Sequence, residues 1–141
     1  MPRFLYSQAE FQGQHFYVNL DSGVGSGRPN KADDVIIVQF FLEALRPRWG
    51  GAVEVKRDGI VGRGTTDAIL AFQNYILNTY GADLLIPDSA VDPTSSPAHY
   101  VASTLGWMHE EYIATFPEHW PDVRTHPAWG ALSFVGFGLF W

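Results

Sequence analysis

Residues 58–76, DGIVGRGTTDAILAFQNYI, join a glycine-rich turn to a helical pattern, and the fold turns on what that turn is for. A phosphate-cradling loop needs G-x-x-x-x-G-K-[ST] after a strand. Gly59 and Gly64 have the right separation, but Thr65 stands where the lysine belongs. A calcium loop needs acidic ligands at alternating positions. Here only Asp58 and Asp67 are acidic, which is too sparse. A structural turn needs glycines that permit tight backbone and a threonine that caps the next helix. This reading uses Asp58, Gly59, Gly62 and Thr65, and it accounts for every residue in the stretch.

Beyond the turn, Thr65 or Thr66 is expected to cap a helix over 66–80. Ile69, Phe72 and Ile76 form its inner stripe, and Gly81 stops it. Upstream, Val35, Val38, Leu42 and Leu45 form one apolar stripe, which predicts a helix over 31–46. Asn30 is its expected N-cap, and Pro47 with Gly50-Gly51 its stop. Downstream, Ser96 and Pro97 are expected to start a third helix over 97–116, with Val101, Leu105, Met108 and Tyr112 on one face. The first two helices echo each other. DDVIIVQFFL (33–42) aligns without a gap on DAILAFQNYI (67–76), setting Gln39 on Gln73. Two similar helices, each introduced by a glycine-rich turn, indicate a mainly helical bundle with internal pseudo-symmetry.

The composition bounds the function. The chain has 141 residues, enough for one domain with decorated ends. Apolar residues are 46% and charged residues 17%, so a packed core is expected. The nine Lys and Arg never cluster and the formal charge is -6, so the electrostatic footprint of a nucleic-acid binder is missing. No cysteine is present, which excludes disulfides, thiolate chemistry and Cys-type zinc sites, and leaves the compartment open. The N-terminus has no basic segment followed by an apolar run, so no signal peptide is expected. The chain is therefore read as cytoplasmic, or exported by a leaderless route to the periplasm or beyond. GALSFVGFGLFW, the most apolar stretch, has 12 residues, whereas a membrane helix needs about 20.

The order Asp-Gly-x-(apolar)-Gly-x-x-Thr-x-x-Ala-x-x-x-Phe-Gln, carried by Asp58, Gly59, Val61, Gly62, Thr65, Ala68, Phe72 and Gln73, resembles the peptidoglycan-binding-domain-like family. These are small three-helix modules found on bacterial cell-wall hydrolases. DVIIVQFFL looks like that family's first helix. DSAVDPTSS looks like a weaker second copy of the turn, with Ser89 where glycine is usual. VGSGRPNKADDV is similar to the leaders of such modules in secretion- and phage-associated proteins. Arg63 departs from the usual proline. The likeness covers about residues 24–106. It implies a three-helix bundle, read here over 24–116; residues 1–20 and 107–141 lie outside the likeness, and the N-terminal extension (1–23) and aromatic C-terminal extension (117–141) are expected from their own patterns to contribute short strands.

The resemblance further implies binding of cell-wall peptidoglycan without catalysis, in a shallow polar groove beside the second helix. Arg63, Thr66, Asn74 and Tyr80 are the candidate ligand contacts there. Gln73 is also placed near this groove, with Asp58 and Gln73 expected to brace the turn through backbone hydrogen bonds. The alternative is a protein-interaction module, an adaptor, cargo or accessory component of a bacterial secretion or phage-like system, that keeps the fold without binding glycan.

No catalytic constellation is found, and the chain is read as non-enzymatic. His109-Glu110-Glu111 begins like a zinc helix, but residue 113 is Ile rather than His. His99 and His109 would lie nearly three turns apart on one helix, too far to share an ion. The histidines are therefore expected to be solvated or capping, with no metal and no cofactor. Glu110, Glu111 and Glu118 offer carboxylates for acid-base hydrolysis, but no sugar cleft accompanies them. The tail WGALSFVGFGLFW is apolar on both faces of a strand. It is expected to pair with residues 14–20 and to offer an aromatic surface to a protein partner.

Overall fold

The computed structural model describes residues 3–7, 15–51, 55–93 and 103–116. The described part is mainly helical, with short strands. β1 (Arg3–Ser7) and β2 (His15–Asn19) form an antiparallel hairpin, in which Arg3 faces Asn19 and Ser7 faces His15. The 129–141 tail, expected to pair with this region, lies outside the described residues. Immediately after β2, Leu20 enters the core and is fully buried. β3 (Val24–Gly25) pairs antiparallel with β4 (Ala90–Val91), so two short strands far apart in sequence close one end of the bundle.

α1 (Ala32–Ala44) is the central helix. Every residue from Asp34 to Leu42 is buried, not only the expected stripe of Val35, Val38 and Leu42. The run VIIVQFFL is apolar on all sides, which suits a helix surrounded by other elements. α3 (Arg63–Tyr80) packs on it through Ala68, Ile69, Phe72 and Ile76, and α4 (Thr104–Thr115) through Leu105, Met108 and Tyr112. The Phe41 ring meets Tyr112 edge-on at 6.0 Å and His109 at 4.8 Å.

Several helix ends differ from expectation. Lys31, not Asn30, is the residue before α1, and it makes no side-chain cap. Asn30 instead adopts a left-handed φ of 56° and clasps Gly25, accepting from its N–H at 2.6 Å and donating to its carbonyl at 3.1 Å. Pro47 does not stop the first helix. It sits in the first turn of a short α2 (Arg46–Trp49), where its missing N–H leaves no bond unmade. The first helix ends at Ala44 with Leu45 as its C-cap, and Gly50, left-handed at φ 70°, stops α2. α3 starts at Arg63 behind an extended Gly62, so neither Thr65 nor Thr66 is its cap. α4 starts at Thr104, not 97: Ser103 has extended backbone, and its hydroxyl accepts the Gly106 N–H at 3.1 Å. A serine at the N-cap satisfies a helix donor that would otherwise be orphaned. Ser96, Pro97 and Val101 lie outside the described residues.

Candidate functional site

Three turns share one construction, each held by a buried polar side chain of α1 or α3. In turn 1 (Asp21–Val24), the carboxylate of fully buried Asp34 accepts the N–H of Asp21 at 2.8 Å and of Ser22 at 3.1 Å. In turn 2 (Asp58–Val61), buried Gln39 takes that place. Its Oε1 accepts the N–H of Asp58 and of Gly59, both at 3.0 Å. Its Nε2 donates to Asp58 Oδ1 at 3.1 Å, to the Ile60 carbonyl at 3.0 Å and to Thr65 Oγ1 at 3.2 Å. Turn 3 (Asp88–Val91) repeats this with Gln73. Its Oε1 accepts the Ser89 N–H at 3.0 Å, and its Nε2 donates to Asp88 Oδ1, the Ala90 carbonyl and Thr104 Oγ1 at 3.1, 3.0 and 2.9 Å. A primary amide fits the job because it offers acceptor and donor together to a backbone that needs both.

This corrects two expectations. Gln73 does not brace the 58–64 turn that precedes its own helix; it braces the next one. Thr65 is buried three residues into α3, and its hydroxyl receives the Gln39 amide, so it is a tie between helices and not a cap. Gly59 is the glycine the turn requires, with φ 74°. Gly62 is extended and has open space where a side chain would stand, so the fold makes no steric demand for glycine there.

Turn 2 borders an open cleft of about 190 Å³ at the N-terminal end of α3, lined by Gln39, Lys56, Asp58, Ile60, Gly62, Gly64 and Thr65. Asp58 is held below the usual carboxylate range, first by the Ile60 N–H and further by the Gln39 amide and the Lys56 charge, against partial burial. Lys56 is exposed, and Ile60 is 68% exposed, unusual for an isoleucine.

The four candidate ligand contacts do not converge on this cleft. Arg63 is the most exposed, with its side chain 94% accessible and only a loose 3.7 Å approach to Asp67. Thr66 turns its hydroxyl back to the Arg63 carbonyl at 3.1 Å. Asn74 is exposed on the same side of α3 as Arg63, ~16 Å along the axis. Tyr80 is ~25 Å from Arg63 along that axis. It stacks on Trp107 with ring centres 5.1 Å apart, and its hydroxyl donates to Glu111. Tyr75 donates to the other oxygen of Glu111 at 2.9 Å. The hydrogen bond to Glu111 and burial push the Tyr80 phenol upward; burial and then the same carboxylate do so for Tyr75.

Glu111 is buried in this arrangement and does not form an exposed acid-base pair with Glu110. His109 is neither solvated nor capping. It is 1% exposed, and its Nδ1 lies 2.8 Å from the Leu105 carbonyl, which can only accept, so Nδ1 carries the proton. Burial pushes its pKa down to about 4. Among the described residues no group of His, Asp and Glu is arranged to hold a metal ion. None of the described helices is long and apolar enough to cross a membrane. His99, His119, His126 and Glu118 lie outside the described residues.

Gln39, Lys56 and Ile60 are not site candidates by sequence, and neither is Asp34 a candidate brace. One signal was available: Asp-(Ser/Gly)-x-Val occurs at 21–24, 58–61 and 88–91. Aligning on that motif, rather than on the helices alone, assigns each turn its own brace. Compared with known families, curated proteins and solved structures, the chain matches none.

Proposed function

We propose that the chain is a non-catalytic binding module for bacterial cell-wall peptidoglycan, with its ligand face along the outer side of α3. The observation that carries this reading is the open cleft at the start of α3, lined by Lys56 and Asp58 and next in sequence to exposed Arg63. It is supported by the resemblance of residues 58–76 to the peptidoglycan-binding-domain-like turn and helix. Lys56 and Asp58 supply both signs of charge, which suits a stem peptide bearing amines and carboxylates. Arg63 and Asn74, spaced along one side of the helix, suit an extended polymer better than a compact ligand. Co-sedimentation with purified sacculi tests the proposal. Arg63→Ala together with Asn74→Ala is expected to release the protein into the supernatant, and undiminished sedimentation of the double variant removes the reading.

A second reading, a protein-interaction module of a secretion or phage-like system, is favoured by a separate observation. Ile60, Leu84 and Ile86 are each more than 60% exposed, on turn 2 and on the connector after α3. Exposed aliphatic side chains on braced loops suit contact with a protein better than with a sugar. A wild-type chain that ignores sacculi leaves this reading in place.

A further inference from the structure

Turns 2 and 3 have the same bracing, but among the described residues only turn 3 carries a strand on its outer edge. There β3 lies antiparallel to β4, with Val24 opposite Val91 and Gly25 opposite Ala90. The Ser26 N–H extends the pairing to the Ser89 carbonyl at 3.1 Å. A glycine is required at 25: φ is 114°, and a Cβ there would stand 2.3 Å from the Ser89 oxygen. At turn 2 the matching residues are Gly59, Ile60 and Val61. Among the described residues, no hydrogen bond reaches the Gly59 carbonyl or the N–H and carbonyl of Val61. Ile60 of this edge lines the open cleft and is 68% exposed, where its counterpart Ala90 is 3% exposed under β3. A braced edge whose backbone groups are unmet among the described residues is a template for one more strand.

The charges differ between the two edges. In turn 3, Arg28 follows Gly25 by three residues and its guanidinium binds Asp92 at 2.6 and 3.0 Å, with Asp88 at 3.4 Å. The residue in turn 2 that matches Asp92 is Gly62, and the cleft there carries Lys56, whose charge acts on Asp58, the match of Asp88. The main acidic partner of an arginine is gone and a cation is present. We infer that the Gly59–Val61 edge binds an extended peptide of another protein, with glycine opposite Ile60 and an aspartate or glutamate three residues later, next to Lys56. This inference holds whether or not the outer face of α3 binds the cell wall.

The probe is a capped peptide of this chain's own residues 21–30 with Arg28→Glu, which keeps the glycine register and reverses the charge. It is titrated to millimolar concentration into the full-length 15N-labelled chain, followed by amide shifts. Saturable shifts at Gly59, Ile60 and Val61 are expected. Lys56→Glu, an exposed change, should weaken binding ~10-fold, while the unaltered 21–30 peptide should bind this edge less well than the glutamate form. No saturable shift at 59–61 overturns the proposal, as does tighter binding of the arginine peptide there, or shifts confined to 88–91. If the peptide fails while sacculi still sediment the wild-type chain, the strand edge is lost and the wall reading survives.

Discussion

Turn 2 and turn 3 are built alike and finished differently. Both hang on a buried glutamine, from α1 or α3, both use an aspartate to fold back on the residue two further on, and both tie to a threonine near the start of the next helix. Turn 3 is then covered by β3 and clasped by Arg28, and Ala90 and Val91 are buried. Turn 2 is left open to a cleft. The difference separates what holds this fold from what is available for binding. The glutamine brace is structural in both turns, and among the described residues only turn 2 has backbone groups left to meet a ligand.

The largest expected effect follows from that coverage. Gln73→Ala strands the Ala90 carbonyl and the Thr104 hydroxyl in places water does not reach, and frees the Ser89 N–H. Each buried polar group left unsatisfied costs about 1–3 kcal/mol, so a loss of about 4 kcal/mol is expected. Gln39→Ala removes the matching bonds and one more, from the Asp58 N–H, but Asp58 and Ile60 line an open cleft and recover water, so about 2 kcal/mol is expected. Urea denaturation of the two variants checks the order. Equal losses, or a larger loss at Gln39, would show that the covering of turn 3 has no energetic weight.

Acid should weaken the turn 3 side first. His109 belongs to α4, the helix that Gln73 grips through Thr104. Its pKa falls from an ordinary 6.5 to about 4 in the folded chain. The unfolded chain therefore binds the extra proton between those values, and stability is complete above 6.5 and declines as pH falls to about 4. That interval, at about 1.4 kcal/mol per pH unit, corresponds to about 3 kcal/mol. Asp58 in turn 2 behaves in a lower window. Its lowered pKa contributes stability above the ordinary 3.8 that is lost only as pH falls through the folded value. Hydrogen exchange at pH 5 should find α4 and turn 3 less protected relative to neutral pH, with turn 2 unchanged. His109→Phe should flatten the stability profile between pH 7 and 4, and an unchanged slope would assign the acid sensitivity elsewhere.

The local parts of this architecture are legible in the sequence, and the long-range parts are not. Ile69, Phe72 and Ile76 mark the buried side of α3 and Gly81 its end, because helix period and a left-handed stop are properties of neighbouring residues. Periodicity could not distinguish a helix buried on one side from one buried all round, so α1 reads as a stripe when it is the centre of the core. Thr65 has the chemistry of a cap and the position of one, yet its hydroxyl is used by Gln39 from another helix. The candidate contacts Arg63 and Asn74 were legible as exposed helix positions. Tyr80 was not legible as a partner of Trp107 and Glu111, since that contact depends on how α4 crosses α3.

The smallest effect expected gives the sharpest test of likeness between the turns. Ser89 has φ 61° and Gly59 has φ 74°, so both occupy the left-handed region at the same step of the turn. Only glycine adopts that region without steric cost; another residue pays about 1 kcal/mol. A Cβ at Gly59 would meet Ile36 and Ala32 at no less than 3.4 Å, an ordinary contact, so its substitution tests backbone conformation and not crowding. Ser89→Gly should therefore stabilise the chain and Gly59→Ser destabilise it, each by ~1 kcal/mol less whatever entropy glycine adds to the unfolded chain. The double exchange should return nearly to the wild-type midpoint if the turns are conformational equivalents. If Ser89→Gly destabilises by as much as Gly59→Ser does, turn 3 has adapted to its serine beneath β3, and the equivalence that assigns a strand site to turn 2 weakens with it.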